Sequence, residues 1–170
     1  MMSFKMLMAP TIIALALSIG GCGSNEKKAE PVTDVAVTDL GAAAETIELN
    51  GDSDSGKAGG LRTVYFDYNS ATLTGATKST LDANIEYLKA NDKVELQVEG
   101  HCDERGGVQY NLALGMKRAK TVQDYMVTMG ITKARFAKPI SFGKDRPIAF
   151  GHEEDSWSQN RRGNFVITAK

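Results

Sequence analysis

The placing of aromatic side chains divides this chain before any motif is read. Residues 5–64 contain none, whereas every aromatic after Phe4 lies between Tyr65 and Phe165. A packed core needs large apolar side chains, so the folded unit is expected to occupy residues 61–170. Residues 23–60 are instead rich in Ala, Gly, Ser, Thr and acids, and Gly51-Asp52-Ser53-Asp54-Ser55-Gly56 has the composition of a linker. The stretch reads as flexible or weakly structured. Its 38 residues would span roughly 35 Å on average and ~100 Å if stretched.

The first residues read as an address. Lys5 precedes an almost wholly apolar run, residues 6–19, which ends in Ile19-Gly20-Gly21-Cys22. A positive start, a short apolar stretch and small residues before a cut form a secretory signal over residues 1–21. The run is short of the ~20 residues that span a bilayer. Its end resembles the bacterial lipobox. That resemblance implies a diacylglyceryl group on the Cys22 thiol and an acylated amine after cleavage, with residues 22–60 as lipidated cysteine and linker. Two or more acyl chains anchor a protein stably where one does not. In enterobacterial lipoproteins an Asp directly after the cysteine often retains the protein at the inner membrane, so the resemblance, with Gly23 at that place, implies the outer membrane.

Charge is uneven along the mature chain. Residues 23–60 hold eight acidic and three basic side chains, and residues 61–170 hold thirteen acidic and sixteen basic. The resulting nets of -5 and +3 argue weakly for an anionic ligand. No basic stripe interleaved with aromatics is present, so nucleic acid is not an expected partner.

Within residues 61–170, two periodicities alternate. Thr63-Val64-Tyr65-Phe66 reads as a strand. Thr74 is placed to cap a helix ending near Asn91, with Leu81, Ile85 and Leu88 on one face. Lys93 to Glu99 alternates as a half-buried strand, with Val94, Leu96 and Val98 inward. Asn111 to Met129 reads as a second helix that stops at Gly130, its core stripe running through Leu112, Ala119, Val122 and Met126. A third strand falls within residues 137–142, with Pro139 marking an edge. A long polar loop containing Pro147 and Gly151 leads to a last strand, residues 163–169. The expected fold is a two-layer α/β sandwich of about four strands, with two main helices packed on one side.

Function concentrates between the second strand and the second helix. Gly100-His101-Cys102-Asp103-Glu104-Arg105-Gly106-Gly107 follows a strand and enters a helix, the place where α/β folds build ligand sites. Asn111 and Arg118 lie almost two helical turns apart and share a face bordering the core, ~10 Å from one another. A partly shielded guanidinium grips a carboxylate through two parallel hydrogen bonds. Asp103 on the loop is placed to hold an ammonium, so the pair suits a zwitterion resembling an amino acid. The alternative is an internal Asp103–Arg118 salt bridge that stiffens the loop.

Five motifs then occur in order. They are Val64-Tyr65-Phe66-Asp67, GHCDERGG, Tyr110-Asn111-Leu112-Ala113-Leu114-Gly115 with Arg118-Ala119, SFGKDRP, and Asn160-Arg161-Arg162. In this order they resemble the OmpA/Pal family of peptidoglycan-binding domains, nearest its Pal branch, over about residues 62–168. The resemblance implies that Asp103 and Arg118 clamp the diaminopimelate residue of a peptidoglycan stem peptide. It implies that Asn111 shapes the pocket, that Phe66 and Asp67 form a wall, that Arg161 supports the site, and that Arg162 belongs to the surface or the last strand. His101 would be a structural prop. Gly163 departs from the family, which often carries a larger residue there, and is expected to loosen the last strand. The resemblance further implies no cofactor, no catalysis, and an outer-membrane lipoprotein with a periplasmic domain. Its partners would be peptidoglycan and the periplasmic β-propeller protein of the Tol system, in envelope integrity and cell division.

An enzyme is the competing class. His101, Cys102, Asp103 and His152 are candidate metal ligands or nucleophile partners, but their spacing matches no HExxH or paired-cysteine pattern. Two histidines and one non-lipidated cysteine are thin material for a nucleophile, a base and an orienting group together. Cys102, left unpaired once Cys22 is acylated, reads as a small sheltered side chain.

Overall fold

A computed structural model describes residues 47–170. The signal segment, Cys22 and the first part of the tether lie outside the described residues. The elements run β1 (Val64–Tyr65), α1 (Gly75–Ala90), β2 (Glu95–His101), α2 (Val108–Thr128), a short 3-10 turn (Lys133–Arg135), β3 (Ile140–Gly143), α3 (Glu154–Asn160) and β4 (Arg162–Ala169). The four strands form one sheet in the order β1-β4-β2-β3. β2 and β3 are parallel, and β4 is antiparallel to both its neighbours.

The core follows the expected periodicities. Leu81, Ile85 and Leu88 of α1 meet Ala119, Val122 and Met126 of α2 over Leu96, Val98, Phe165 and Ile167 of the central strands. Alternate strand residues Glu99, His101, Arg162 and Asn164 therefore belong to the opposite face. The two main helices and the sheet are the expected two layers. Thr74 caps α1 by accepting from Thr77 N, and Asn91 closes it by donating to the Tyr87 carbonyl. Arg135 secures the far end of the fold by donating to the carbonyls of Leu88, Asn91 and Val94.

Five expectations need correction. First, residues 47–60 are folded rather than flexible. Asn50 N donates to Ile167 O, Ile167 N to Gly51 O and Ser53 N to Phe165 O, each at 2.9 Å. β4 has eight residues but β1 only two, so most of the outer edge of β4 needs other partners, and this arm supplies them. Positive φ at Gly56 and Gly59 turns the arm back, and Ala58 and Leu61 enter the core. Counted from residue 47, the folded unit holds sixteen acidic and seventeen basic side chains, so it is nearly neutral.

Second, α2 starts at Val108, three residues before Asn111, behind Gly107 as an N-cap that offers no side chain. Third, Leu112 is only partly buried and lies outside the core cluster. The buried face of α2 passes instead through Asn111, Gly115 and Arg118. Fourth, the polar loop before β4 contains α3. That helix has no apolar stripe and depends on tertiary bonds. Asn160 Oδ1 accepts from Ile148 N and Ala149 N, and its Nδ2 donates to Ala149 O. Gly163, finally, is tightly enclosed: a Cβ there would stand 3.1 Å from Val64 Cγ2 and 3.6 Å from both Phe66 and Val122.

Candidate functional site

The site forms where β2 ends and α2 crosses it. The crossing is close because Gly100 and Gly115 are both bare. A Cβ on Gly100 would lie 1.8 Å from the Gly115 carbonyl oxygen. One helical turn further on, Arg118 reaches the His101 carbonyl with its Nη1 at 2.7 Å. Cys102 N donates to Gly143 O at 2.7 Å and holds the end of β2 against β3. Gly106, with φ at +89°, makes the turn into α2 at an angle that side chains resist.

Asp103, Asn111, Arg118 and Arg161 then line one cavity of about 250 Å³, together with Tyr68, Asn69, Arg105 and Tyr110. Tyr110 donates its hydroxyl to Asn69 at the rim. Asn111 ties the loop to the helix by donating Nδ2 to the Arg105 carbonyl at 2.8 Å. Its own carbonyl accepts from the Cys102 thiol at 3.4 Å. Cys102 is buried and unpaired, and burial pushes its thiol pKa up. It is the small, sheltered side chain expected of it.

The charged groups are arranged differently from the simple clamp. Arg118 is fully buried. It donates Nε to Ser70 O at 2.8 Å, Nη2 to Asp67 O at 3.0 Å, and Nη1 to the His101 carbonyl and the Cys102 sulfur. Four of the five guanidinium N–H groups are thus committed, and one Nη2 proton remains for the cavity. Burial lowers the Arg118 pKa. Asp103 meets Arg105 Nη2 at 2.6 Å and Arg161 Nη1 at 3.4 Å. Burial would raise the Asp103 pKa, but the side-chain and backbone bonds from Arg105 outweigh it and hold the carboxyl below its ordinary range. The internal salt bridges of Asp103 therefore run to Arg105 and Arg161.

Arg161 supports the loop through three bonds. Nε donates to Phe66 O at 3.0 Å, Nη1 reaches Asp103, and Nη2 pairs with Glu154 of α3. Phe66 and Asp67 are not brought to the wall of this cavity. Phe66 is buried with its ring 5.1 Å from the Arg118 guanidinium carbon, and Asp67 contributes its backbone carbonyl. Both line an adjoining and larger cleft of about 450 Å³ that shares Arg161. The smaller cavity is the functional candidate, because the charged groups suited to a zwitterion converge there. Of its two expected places Arg162 takes the last strand, as the first residue of β4, and not the surface. It is buried on the other face of the sheet, with Nε 2.7 Å from Asp54.

His101 is buried, stacked on Phe142 at 5.5 Å, with Nε2 3.4 Å from Glu99. Burial lowers its pKa, so at neutral pH it is an uncharged prop. The exposed His152 pairs with Glu104 at 2.7 Å, and this bond raises the His152 pKa. Among the described residues, no three His, Cys, Asp or Glu side chains are grouped to hold a metal ion. Sequence reasoning missed Arg105, Tyr68, Trp157 and Glu154. Arg105 lay within the DERG motif. Its two aromatic neighbours stand far apart in the sequence and share no periodicity that would join them.

An α/β sandwich with an acid–guanidinium cavity at the strand ends defines a class of ligand-binding domain. The chain belongs to the OmpA family, which it matches over residues 65–161. It is similar to the peptidoglycan-associated lipoprotein of Pseudomonas aeruginosa, 38% identical over 88% of this chain and 90% of that one. The Rhizobium meliloti protein of the same name is 37% identical over 93% and 87%. The crystal structure of the peptidoglycan-associated lipoprotein from Burkholderia pseudomallei is 40% identical, with a TM-score of 0.59, covering 62% of this chain and 89% of that one. The cell wall anchor of the Pseudomonas aeruginosa T6SS shares the fold at 22% identity and a TM-score of 0.54, over 64% of this chain and 80% of that one.

Proposed function

We propose that this protein is an outer-membrane lipoprotein that binds the diaminopimelate-containing stem peptide of peptidoglycan without covalent attachment. It acts as a binding protein, not an enzyme, in keeping with its OmpA family membership. The observation that carries the reading is the cavity in which the Asp103 carboxylate faces the guanidinium groups of Arg105, Arg118 and Arg161. A zwitterion places its ammonium on Asp103 and its carboxylate among the cations. Asn111 shapes the entry, and Phe66 and Asp67 back the site through Arg118. Lipid on Cys22 anchors the chain, and the stretch between Cys22 and the folded arm is the tether to the wall. The names of the two similar relatives support peptidoglycan as the ligand and a lipid on the chain. The same reading includes the Tol-system β-propeller protein as a second partner.

Sedimentation with purified sacculi tests the ligand. The wild-type chain should pellet with the wall in the absence of any other protein, and Asp103→Asn should stay in solution. Equal pelleting of both would refute the assignment. Cys22→Ser should release a soluble protein that still binds sacculi.

A further inference from the structure

Asp103 is already occupied by a neighbour from its own loop. Arg105 donates its backbone N–H to Oδ1 at 3.1 Å and its Nη2 to Oδ2 at 2.6 Å. Both carboxylate oxygens are therefore engaged by one residue. The Arg105 side chain is 28% exposed, whereas Arg118 is fully buried and Arg161 nearly so. Of the three guanidinium groups in the cavity, Arg105 is the one with solvent to move through. It is also held without being locked. Its guanidinium carbon lies 4.0 Å from the centroid of Tyr68 and 3.9 Å from that of Trp157, so it is sandwiched between two ring faces. Such contacts favour a cation while imposing little directional constraint. Its buried Nε has no acceptor among the described residues, and Glu154 stands 3.8 Å from Nη2.

We propose that Arg105 is a specificity-determining residue, which surrenders Asp103 only to a ligand that brings both an ammonium and a carboxylate. The inference rests on the cavity being the stem-peptide site. Binding is an exchange of ion pairs. The ligand ammonium replaces Arg105 on Asp103, and the freed guanidinium takes the ligand carboxylate while it stays between Tyr68 and Trp157. One internal pair is replaced by two pairs with the ligand, and no charge is left alone. A lysine side chain at the same place brings only the ammonium. It would leave Arg105 beside Arg118 and Arg161 with only the exposed Glu154, 3.8 Å away, as counter-charge, which disfavours it by like-charge repulsion. A lone carboxylate brings nothing to displace Arg105. Arg118 cannot fill this role alone, since its donors are largely spent on backbone carbonyls.

The test compares two tripeptides, L-Ala-γ-D-Glu ending in meso-diaminopimelate or in L-Lys, by calorimetry on the full mature chain in detergent. The wild-type chain should prefer the diaminopimelate peptide by about tenfold or more, and Arg105→Gln should reduce that preference to about threefold or less, chiefly by admitting the lysine peptide. An unchanged ratio in a folded Arg105→Gln protein overturns the proposal and leaves the pocket reading intact. Wild-type protein that binds neither tripeptide overturns both. A measurement on the unaltered chain guards against a variant that fails to fold. The Arg105 Nε–H resonance should shift on saturation with the diaminopimelate peptide, and a resonance that stays in place overturns the exchange.

Discussion

Gly100 of β2 and Gly115 of α2 meet backbone to backbone. A Cβ on Gly100 would lie 1.8 Å from the Gly115 carbonyl oxygen, and one on Gly115 would lie 2.8 Å from that of Gly100. This contact sets the height of α2 above the sheet, and with it the reach of Arg118 to the end of β2. Gly100→Ala meets rigid backbone, so it should destabilise the domain by about 3 kcal/mol or more, at or above the usual cost of overpacking. Gly115→Ala also meets the Ser141 hydroxyl at 2.3 Å, which a rotamer change relieves, and should cost less. Urea midpoints for the two variants check the order. A Gly100→Ala protein as stable as wild type would contradict the close crossing.

Arg118 is a structural hub as well as a cavity wall. Arg118→Ala would strand the carbonyls of Ser70, Asp67 and His101 and leave a void beneath Phe66. The expected loss is about 3–5 kcal/mol, from unsatisfied buried acceptors together with the cavity. Sacculus binding by this variant would then fall through unfolding as well as through lost contact. Asp103→Asn preserves shape and should lose binding at a smaller cost in stability than Arg118→Ala, because its one carbonyl oxygen still accepts from the Arg105 and Arg161 guanidinium groups while its NH2 can no longer accept from Arg105 N–H. Thermal melts run beside the sedimentation assay separate the two cases.

Asp54 of the arm holds Arg162 at the start of β4. The two side chains are 12% and 3% exposed, with Arg162 Nε 2.7 Å from Asp54 Oδ2. Asp54→Ala leaves a buried guanidinium without its counter-charge and should cost about 2–4 kcal/mol. A chain truncated to begin at residue 61 loses this pair and the bonds that cover β4. It should melt well below one that begins at residue 47. Coincident melting curves would show that the arm is dispensable.

Acid should weaken the fold through His101 and Asp103. Burial depresses the His101 pKa below its ordinary 6.5, so the unfolded chain binds a proton that the native state resists. Stability is therefore complete above 6.5 and falls as pH drops below that value. Asp103 titrates below its ordinary 3.8, and its contribution, present above 3.8, is lost as pH falls through the folded value. The exposed His152 has a raised pKa. It acts in the opposite sense and weakly, because solvent screens its pair with Glu104. His101→Gln should flatten the stability profile below pH 6.5 while leaving the more acidic limb in place. Urea unfolding across a pH series reads this directly, and an unaltered profile would remove His101 from the account.

Local periodicity and short motifs were enough to determine much of this protein. The capped helix after Thr74, the alternation from Val94 to Val98 and the stripe through Ala119, Val122 and Met126 are nearest-neighbour patterns, because burial on one face repeats at the period of the element. The loop carrying Asp103 and the helix carrying Arg118 were likewise legible, since turn glycines and helical spacing are local properties. Only the tertiary structure decided which charges pair. Asp103 chose Arg105 and Arg161 over Arg118, since the Arg118 donors are consumed by carbonyls brought from Asp67, Ser70 and His101. It alone turned residues 47–60 from an apparent linker into the cover of β4, because the need for that cover comes from an edge more than a hundred residues away. It also created α3 and the Tyr68–Arg105–Trp157 stack, neither of which has a periodic signal. Hydrogen bonds and ion pairs are satisfied by whatever the fold brings near, and the order of residues along the chain does not state what that will be.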